Sequence, residues 1–242
     1  MVDVFVPPRW NRPELLDLGA GSPEDVRQSL RDLRRLNRLL GGTRALTQHL
    51  YPRILAQETP VSVLDIGTGD GALSETIINW ADANGQSVQC IGLELMARNL
   101  AMADDTVRQH PCISLLQADA FALPLRENSV DYVVCSLILH HFSPEQIMAL
   151  LKTAYHVARR GIIMSDLTRG WLPYIGYKLI TPVFGLHPIT RHDGAVSIRR
   201  GYTVSEMRAM SDHVGLTHAQ VHWHPMFRMT LVADKEVTHD AN

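Results

Sequence analysis

The sequence has no excess of charge of one sign: 23 Lys and Arg stand against 25 Asp and Glu, a formal net charge of -2. That balance gives no general electrostatic drive toward nucleic acid. Cysteine is scarce. Cys90, Cys112 and Cys135 are scattered, odd in number and set in or beside segments that read as buried strands. They are therefore expected to be reduced core residues in a reducing compartment, which points to a cytoplasmic location. Neither a CxxC nor an HExxH spacing occurs, so no metal site is expected. The first residues lack a basic start followed by an apolar run, which speaks against a signal peptide. No apolar stretch reaches the length of a membrane span. The longest candidate, 171–186, is interrupted by Pro173, Gly176, Lys178 and Pro182, and reads as a lid or a surface-seeking segment. No Ser/Gly linker and no internal repeat divides the chain.

The 242 residues, 45% hydrophobic and 20% charged, are ordinary globular material with enough length to bury a core. Residues 1 to about 58 read as an irregular arm and two helices. Ser22 caps the first helix, with Pro23 at its opening position and Asp25 close behind. Val26, Leu30, Leu33, Leu36, Leu39 and Leu40 give it an apolar face, and Gly41-Gly42 stops it. A second helix spans about 43–57, with Pro52 as a possible kink. From Val61 the rhythm changes to short apolar runs alternating with helices. Strands are expected at 62–66, 87–93, 113–117, 130–136 and 161–165, with helices at 72–83 and 144–157 among the connections. Strands apolar on both faces fit a parallel α/β sheet covered on each side. After Asp166 the pattern breaks. Residues 167 to about 201 mix Trp, Tyr, Pro, Gly and Arg irregularly. Thr203-Val-Ser-Glu206 then caps a helix to about Val214, two strands follow near 217–224 and 228–233, and a polar tail expected to fray runs to Asn242.

The most informative stretch is Val63-Leu-Asp-Ile-Gly-Thr-Gly-Asp-Gly-Ala-Leu-Ser74, a strand, a glycine turn and a helix start. Gly67, Gly69 and Gly71 allow a sharp turn and close approach of a ligand to the backbone. Their spacing is GxGxG, not the GxGxxG of dinucleotide folds, so no pyrophosphate is implied. Alone, such a turn could serve any nucleotide binder or only tight packing. Asp65 alone also reads as a turn residue, and Glu94 as a helix cap.

In combination, these residues resemble the class I S-adenosylmethionine-dependent methyltransferase family over roughly 61–166. Asp65 stands where that family opens its glycine motif with an acid. Glu94, in Cys90-Ile-Gly-Leu-Glu94, matches the acid that ends its second strand, where a carboxylate can accept from both ribose hydroxyls. Asp119, in Leu116-Gln-Ala-Asp-Ala120, matches the acid beside the adenine, with Leu95 and Ala120 flanking the ring. The fourth strand, ending in Cys135 and Ser136, would lie near the methionine end of the ligand. The resemblance therefore implies S-adenosylmethionine held by Asp65, Gly67, Thr68, Gly69, Gly71, Glu94, Leu95, Asp119, Ala120 and Cys135. It also implies a Rossmann-like, seven-stranded, mostly parallel sheet of order 3-2-1-4-5-7-6 with the last strand antiparallel. A cap at 1–58 would precede a cofactor-binding domain at 59–242, with a lid-like insert at about 167–201 over the substrate cleft. Leu33-Arg-Arg-Leu-Asn37-Arg-Leu-Leu-Gly-Gly42, Ser165-Asp-Leu-Thr-Arg169, and Thr190-Arg-His-Asp193 through Ser197-Ile-Arg199-Arg200 are similar to a bacterial small-molecule subgroup often found beside polyketide-type pathways. One departure is that Arg159-Arg160-Gly161 stands where many relatives have a Leu-x-Pro-Gly-Gly turn.

A sulfonium methyl is already electrophilic, so positioning and exclusion of water can supply much of the rate. A phenolic acceptor, with a pKa near ~10, would gain from a base. His140 and His141 follow strand four, and His192 lies between Arg191 and Asp193. His141 and His192 are the candidate bases; a shaping role for His141 and a turn-stabilising Arg191–Asp193 pair are the alternatives. Asp166 could orient a hydroxyl or cap a loop. Trp171, Tyr174, Tyr177, Ile180 and Phe184 could line an apolar pocket or simply pack a helix. The pairs Arg159-Arg160 and Arg199-Arg200 could meet an anionic substrate group or solvent. The expected activity is methylation of a small molecule, O-methylation of a phenolic or polyketide-like metabolite, by a chain with no nucleic-acid partner and no stable membrane insertion, with a homodimer as an assembly open to it. The alternatives are methylation of RNA or protein, disfavoured by the absence of an Asn-Pro-Pro-Tyr-like motif after strand four, and a noncatalytic binding partner, disfavoured by the three intact carboxylates.

Overall fold

A computed structural model describes residues 6–235. The expectations for the chain start and for the end of the polar tail fall on 1–5 and 236–242, outside the described residues. Seven strands form one sheet: β1 (Val61–Ile66), β2 (Val88–Glu94), β3 (Ile113–Gln117), β4 (Val130–Ser136), β5 (Ala158–Leu167), β6 (Gln220–His224) and β7 (Arg228–Asp234). Their order is 3-2-1-4-5-7-6. The first five strands pair in parallel, and β7 runs antiparallel to both β5 and β6. This topology brings the carboxyl ends of β1, β2 and β4 to one edge, with the order reversing between β1 and β4, where open α/β sheets leave a ligand crevice.

Helices cover both faces. Leu46, Leu50 and Ile54 of α2 (Gly42–Leu55), with Ile77, Ile78 and Ala81 of α3 (Ala72–Ala83), pack on Val63, Val134 and Ile163. On the other face, Ile147, Leu150 and Leu151 of α6 (Pro144–Val157) and Met207 of α9 (Val204–His213) meet Leu64, Val133 and Ile162. Pro52 sits inside α2, which spans its full length. Two single-turn helices, α4 (Ala97–Leu100) and α5 (Asp105–Arg108), complete the link from β2 to β3.

The Arg159-Arg160-Gly161 departure has a structural counterpart. Val157 ends α6 and Ala158 already lies in β5, so no separate turn is needed and the strand starts three residues before its expected position. Arg159 and Arg160 both ion-pair with buried Asp131, at 2.8 and 3.1 Å. A Cβ at Gly161 would lie 2.6 Å from the Ala233 carbonyl oxygen, so the β5–β7 approach requires glycine there.

Two regions differ from the sequence reading. The apolar face of α1 (Pro23–Leu39) is mostly not core. The capping box of Ser22 and Asp25 starts the helix as expected, but Leu30 and Leu33 face a cavity and Leu39 is exposed. The segment read as irregular contains α7 (Trp171–Ile180) and α8 (Pro188–Arg200). No residue of α7 is buried, and α8 buries Thr190, Asp193, Ser197, Arg199 and Arg200 together with Ala195, Val196 and Ile198. A helix whose hidden face mixes polar residues with a few apolar ones leaves no clear apolar periodicity to read.

Candidate active site

β1 runs into the glycine turn because its last residues are buried and the chain must then reverse into α3. Gly67 has φ +72°, and a Cβ there would stand 2.7 Å from the Ile138 side chain. Gly69 has φ +61° with open space where its Cβ would be, so its requirement is purely backbone. Gly71, also at positive φ, caps the start of α3. Asp65 lies beneath the turn and is fully buried. It accepts hydrogen bonds from Thr68 Oγ1 at 2.7 Å and Ser74 Oγ at 3.1 Å. Burial pushes its carboxyl up to about 6, against the downward pull of those two hydroxyls.

Glu94 reaches the same turn from the end of β2. One oxygen accepts from Gly69 N at 3.1 Å, and the other from Met96 N at 2.9 Å and Asn99 Nδ2 at 3.3 Å. Asp119 folds its own loop by accepting from Phe121 N at 2.9 Å. Asp65, Gly67, Thr68, Gly69, Glu94, Leu95, Asp119 and Ala120 all border one cavity of about 800 Å³. Of the other residues expected at the ligand, Gly71 lies behind the turn as a helix cap and Cys135 is fully buried in the core, where desolvation holds its thiol far above the ordinary value. Ser136, one residue on, borders the cavity instead.

The other end of the cavity is built on the turn after β4. Leu137 takes a left-handed backbone, φ +60°, and the chain enters a 3-10 turn at Leu139–His141. His140 is buried. Its Nδ1 lies 2.8 Å from Asp166 Oδ1, its backbone N donates to Asp166 Oδ2 at 2.8 Å, and its Nε2 is 3.3 Å from Glu14 Oε1. Burial alone would lower its pKa, but Asp166 and then Glu14 outweigh that and hold it at about 10. At neutral pH His140 is an imidazolium between two carboxylates, a structural pin and not a base. Asp166, held below the ordinary carboxylate range by His140 despite its burial, anchors that pin.

His141 is arranged differently. Its Nδ1 lies 3.0 Å from Asp17 Oδ2, which fixes Nδ1–H as the donor, while Nε2 is 3.8 Å from Glu14, beyond hydrogen-bonding range. Asp17 is partly buried, which would raise its pKa, yet His141, the Glu14 backbone N–H and Arg200 together pull it down to about 2. Arg200 pairs with Asp17 at 3.2 Å and donates to the His140 and His141 carbonyls at 3.1 and 2.8 Å. It ties the arm to the histidine turn and is not free for an anionic substrate. Its neighbour Arg199 stacks over the Trp10, Trp171 and Tyr174 rings at 4.5, 4.8 and 5.3 Å.

Glu14 and Asp17 went unnoticed in the sequence. The arm that carries them is held by Asp193, which accepts from Leu15 N at 2.8 Å and Leu16 N at 3.1 Å. Their only trace is the pattern Glu14-Leu-Leu-Asp17 between Pro13 and Gly19, which names no partner. Arg34 of α1 was also missed; it pairs with Asp70 of the glycine turn at 2.7 Å and so ties the cavity roof to the turn. His192 is not brought to the cleft. It is half exposed, bonds its neighbour Asp193 at 2.8 Å, and borders a separate surface depression with Lys178 and Arg191. Tyr177, Ile180 and Phe184 line the main cavity, whereas Tyr174 packs on Trp10 of the arm and Trp171 on Arg199 of α8.

Residues 63–161 match a family model described as a methyltransferase domain. The chain is 25% identical over 174 residues to the demethylmenaquinone methyltransferase of Bacillus licheniformis, covering 66% of this chain and 72% of that protein. Its fold is similar to an S-adenosylmethionine-dependent methyltransferase from Aquifex aeolicus, with TM-score 0.57 at 15% identity over 89% of this chain and 99% of that one. It is likewise similar to the magnesium protoporphyrin IX methyltransferase of Synechocystis, solved with bound S-adenosylhomocysteine, with TM-score 0.54 at 17% identity over 82% and 84%. The fold is that of the Rossmann-like methyltransferases. Residues 63–161 of the chain carry that methyltransferase domain. The crevice fits S-adenosylmethionine: the side-chain-free turn at Gly67 and Gly69 and the Glu94 carboxylate bound to it border one cavity of adequate size.

Proposed function

We propose that this chain is an S-adenosylmethionine-dependent methyltransferase that methylates the hydroxyl of a small, largely apolar acceptor of phenolic or polyketide-like type. Gly67, Thr68 and Gly69 form the cradle for the donor, Glu94 takes its ribose, and Asp119 with Leu95 and Ala120 takes its adenine. When bound, S-adenosylmethionine supplies an electrophilic methyl group on sulfonium sulfur. His141 receives the acceptor's hydroxyl proton on Nε2, with Nδ1 held by Asp17, and the acceptor oxygen becomes the nucleophile. Val26, Leu30 and Leu33 of α1 with Tyr177, Ile180 and Phe184 exclude water around it. The observation that carries this reading is the His141–Asp17 pair on the wall of the cavity that the glycine turn and Glu94 also border.

The test is incubation with methyl-labelled S-adenosylmethionine and a panel of phenols of increasing chain length, read by mass spectrometry. Label on a phenolic oxygen is the expected result. Label on carbon only, or transfer to RNA or protein and to no phenol, would overturn it.

A further inference from the structure

α7 has two apolar sides. One lines the cavity through Gly176, Tyr177 and Ile180. The other is open: Leu172, Ile175, Leu179 and Val183 are 69, 49, 71 and 84% exposed. Their spacing of three, four and four residues makes a single stripe on a helix that continues as a turn to Val183. Leu172 and Ile180 belong both to the open surface and to the cavity wall, so the apolar lining runs out onto the apolar exterior. A patch of this kind on a folded chain marks an interaction site.

The segment that carries the stripe bears charge of one sign, although Asp25 and Asp32 of α1 meet its far end at His187. No Asp or Glu occurs between Asp166 and Asp193. Lys178 and Arg191 share the surface depression beside the helix, and Arg35 of α1 stands 5.9 Å over the ring of Phe184. A second copy docked by a two-fold axis through this stripe would set Lys178 and its neighbours against themselves, a like-charge arrangement. An anionic bilayer offers both the apolar interior that the stripe lacks and the countercharge its edge calls for. No helix among the described residues is long and apolar enough to cross a membrane, so the contact lies in the plane of the interface.

We propose that α7 and the turn to Val183 dock this enzyme on an anionic membrane surface, from which an acceptor with a long apolar tail enters the cavity between α1 and α7. The nature of the acceptor rests on the proposed function; the docking does not, and is measured without turnover.

The experiment is cosedimentation of the full chain with sucrose-loaded vesicles of mixed phosphatidylglycerol and phosphatidylcholine, against phosphatidylcholine alone. The wild type is expected to partition at least tenfold more strongly onto the anionic vesicles. The double variant Leu179→Asp, Val183→Asp is expected to lose at least tenfold of that partition. Both residues lie outside the cavity, so its melting temperature and its calorimetric affinity for S-adenosylmethionine should match the wild type. Equal pelleting of wild type and variant, or none with either vesicle, overturns the proposal. So does a dimer in light scattering that the double variant splits into monomers, which would make a second copy the occupant. A chain that binds vesicles but labels no phenol would sink the acceptor reading and leave the docking intact.

Discussion

The two ends of the cavity are held by contacts of very different reach. At the donor end, Asp65 binds Thr68 and Ser74, three and nine residues away, and Glu94 binds Gly69 across 25 residues and one strand pair. At the acceptor end, His141 meets Asp17 across 124 residues, Glu14 meets Ser197 across 183, and Asp193 holds Leu15 across 178. The donor end is thus a property of one strand–turn–helix unit and its neighbour, and exists once β1 and β2 pair. The acceptor end exists only when the arm, the β4 turn and α8 have all docked. The first should tolerate change in the roof, and the second should be sensitive to every one of its three segments.

The sharpest way to break the donor end is Gly67→Val. It places a branched side chain at φ +72°, where even a Cβ would be 2.7 Å from Ile138. Affinity for S-adenosylmethionine is expected to fall by about a thousandfold or more, about 4 kcal/mol, since both backbone strain and steric blockage act. Calorimetry checks it, and affinity within tenfold of wild type would refute the role given to the turn. Next in size is His141→Ala at the acceptor end. Turnover should drop roughly 10²- to 10³-fold, the usual worth of a positioned base, while donor affinity stays within about twofold, since His141 has no contact with the glycine turn. A joint loss of both would show that the two ends are not separable.

This division by contact range also explains what the sequence made legible. The strands and the glycine turn could be read from their apolar runs and glycine spacing, whereas strand order and the places of Asp65, Glu94 and Asp119 follow from the family resemblance that those strand ends anchor. The resemblance places both Cys135 and Ser136 near the methionine end of the ligand; successive strand residues face opposite sides, so Cys135 is buried and Ser136 borders the cavity. Glu14 and Asp17 carry no local signal. The apolar stripe of α1 looked like a core face because burial against protein and burial against a cavity demand the same periodicity. α8 was hidden for the opposite reason: Asp193, Ser197 and Arg200 are inside because they bind the arm and the histidine turn.

The carboxylates of the two ends should also respond to acid in opposite directions. Asp65 is held up at about 6. Between about pH 4 and 6 the folded chain keeps a proton there that the unfolded chain has released, so this group makes stability fall as pH rises. Compared with Asp65→Asn, which keeps an acceptor for Thr68, the wild type should lose up to roughly 3 kcal/mol of relative stability across that window. Thermal or urea melts of both proteins at half-unit pH steps measure it, and a difference that stays constant with pH would refute the burial of the charge.

Asp17 makes the smallest and most specific prediction. Its carboxyl is pulled down to about 2, so its contribution is fully present above about pH 4 and fades as pH falls toward 2. The side chain is partly open to solvent, which screens the pair with Arg200, so the stability effect of Asp17→Asn should be modest. The advantage of wild type over variant should shrink on acidification, the reverse of the Asp65 case. Asn can still accept from His141 Nδ1–H but carries no charge to stabilise the imidazolium formed when Nε2 takes a proton. Turnover should therefore fall about tenfold with donor affinity unchanged. The double variant with His141→Ala should be no slower than His141→Ala alone, because the aspartate acts only through the ring. Additive losses in that cycle would mean that Asp17 touches the acceptor itself, and the acceptor end would then be a two-group site and not a supported base.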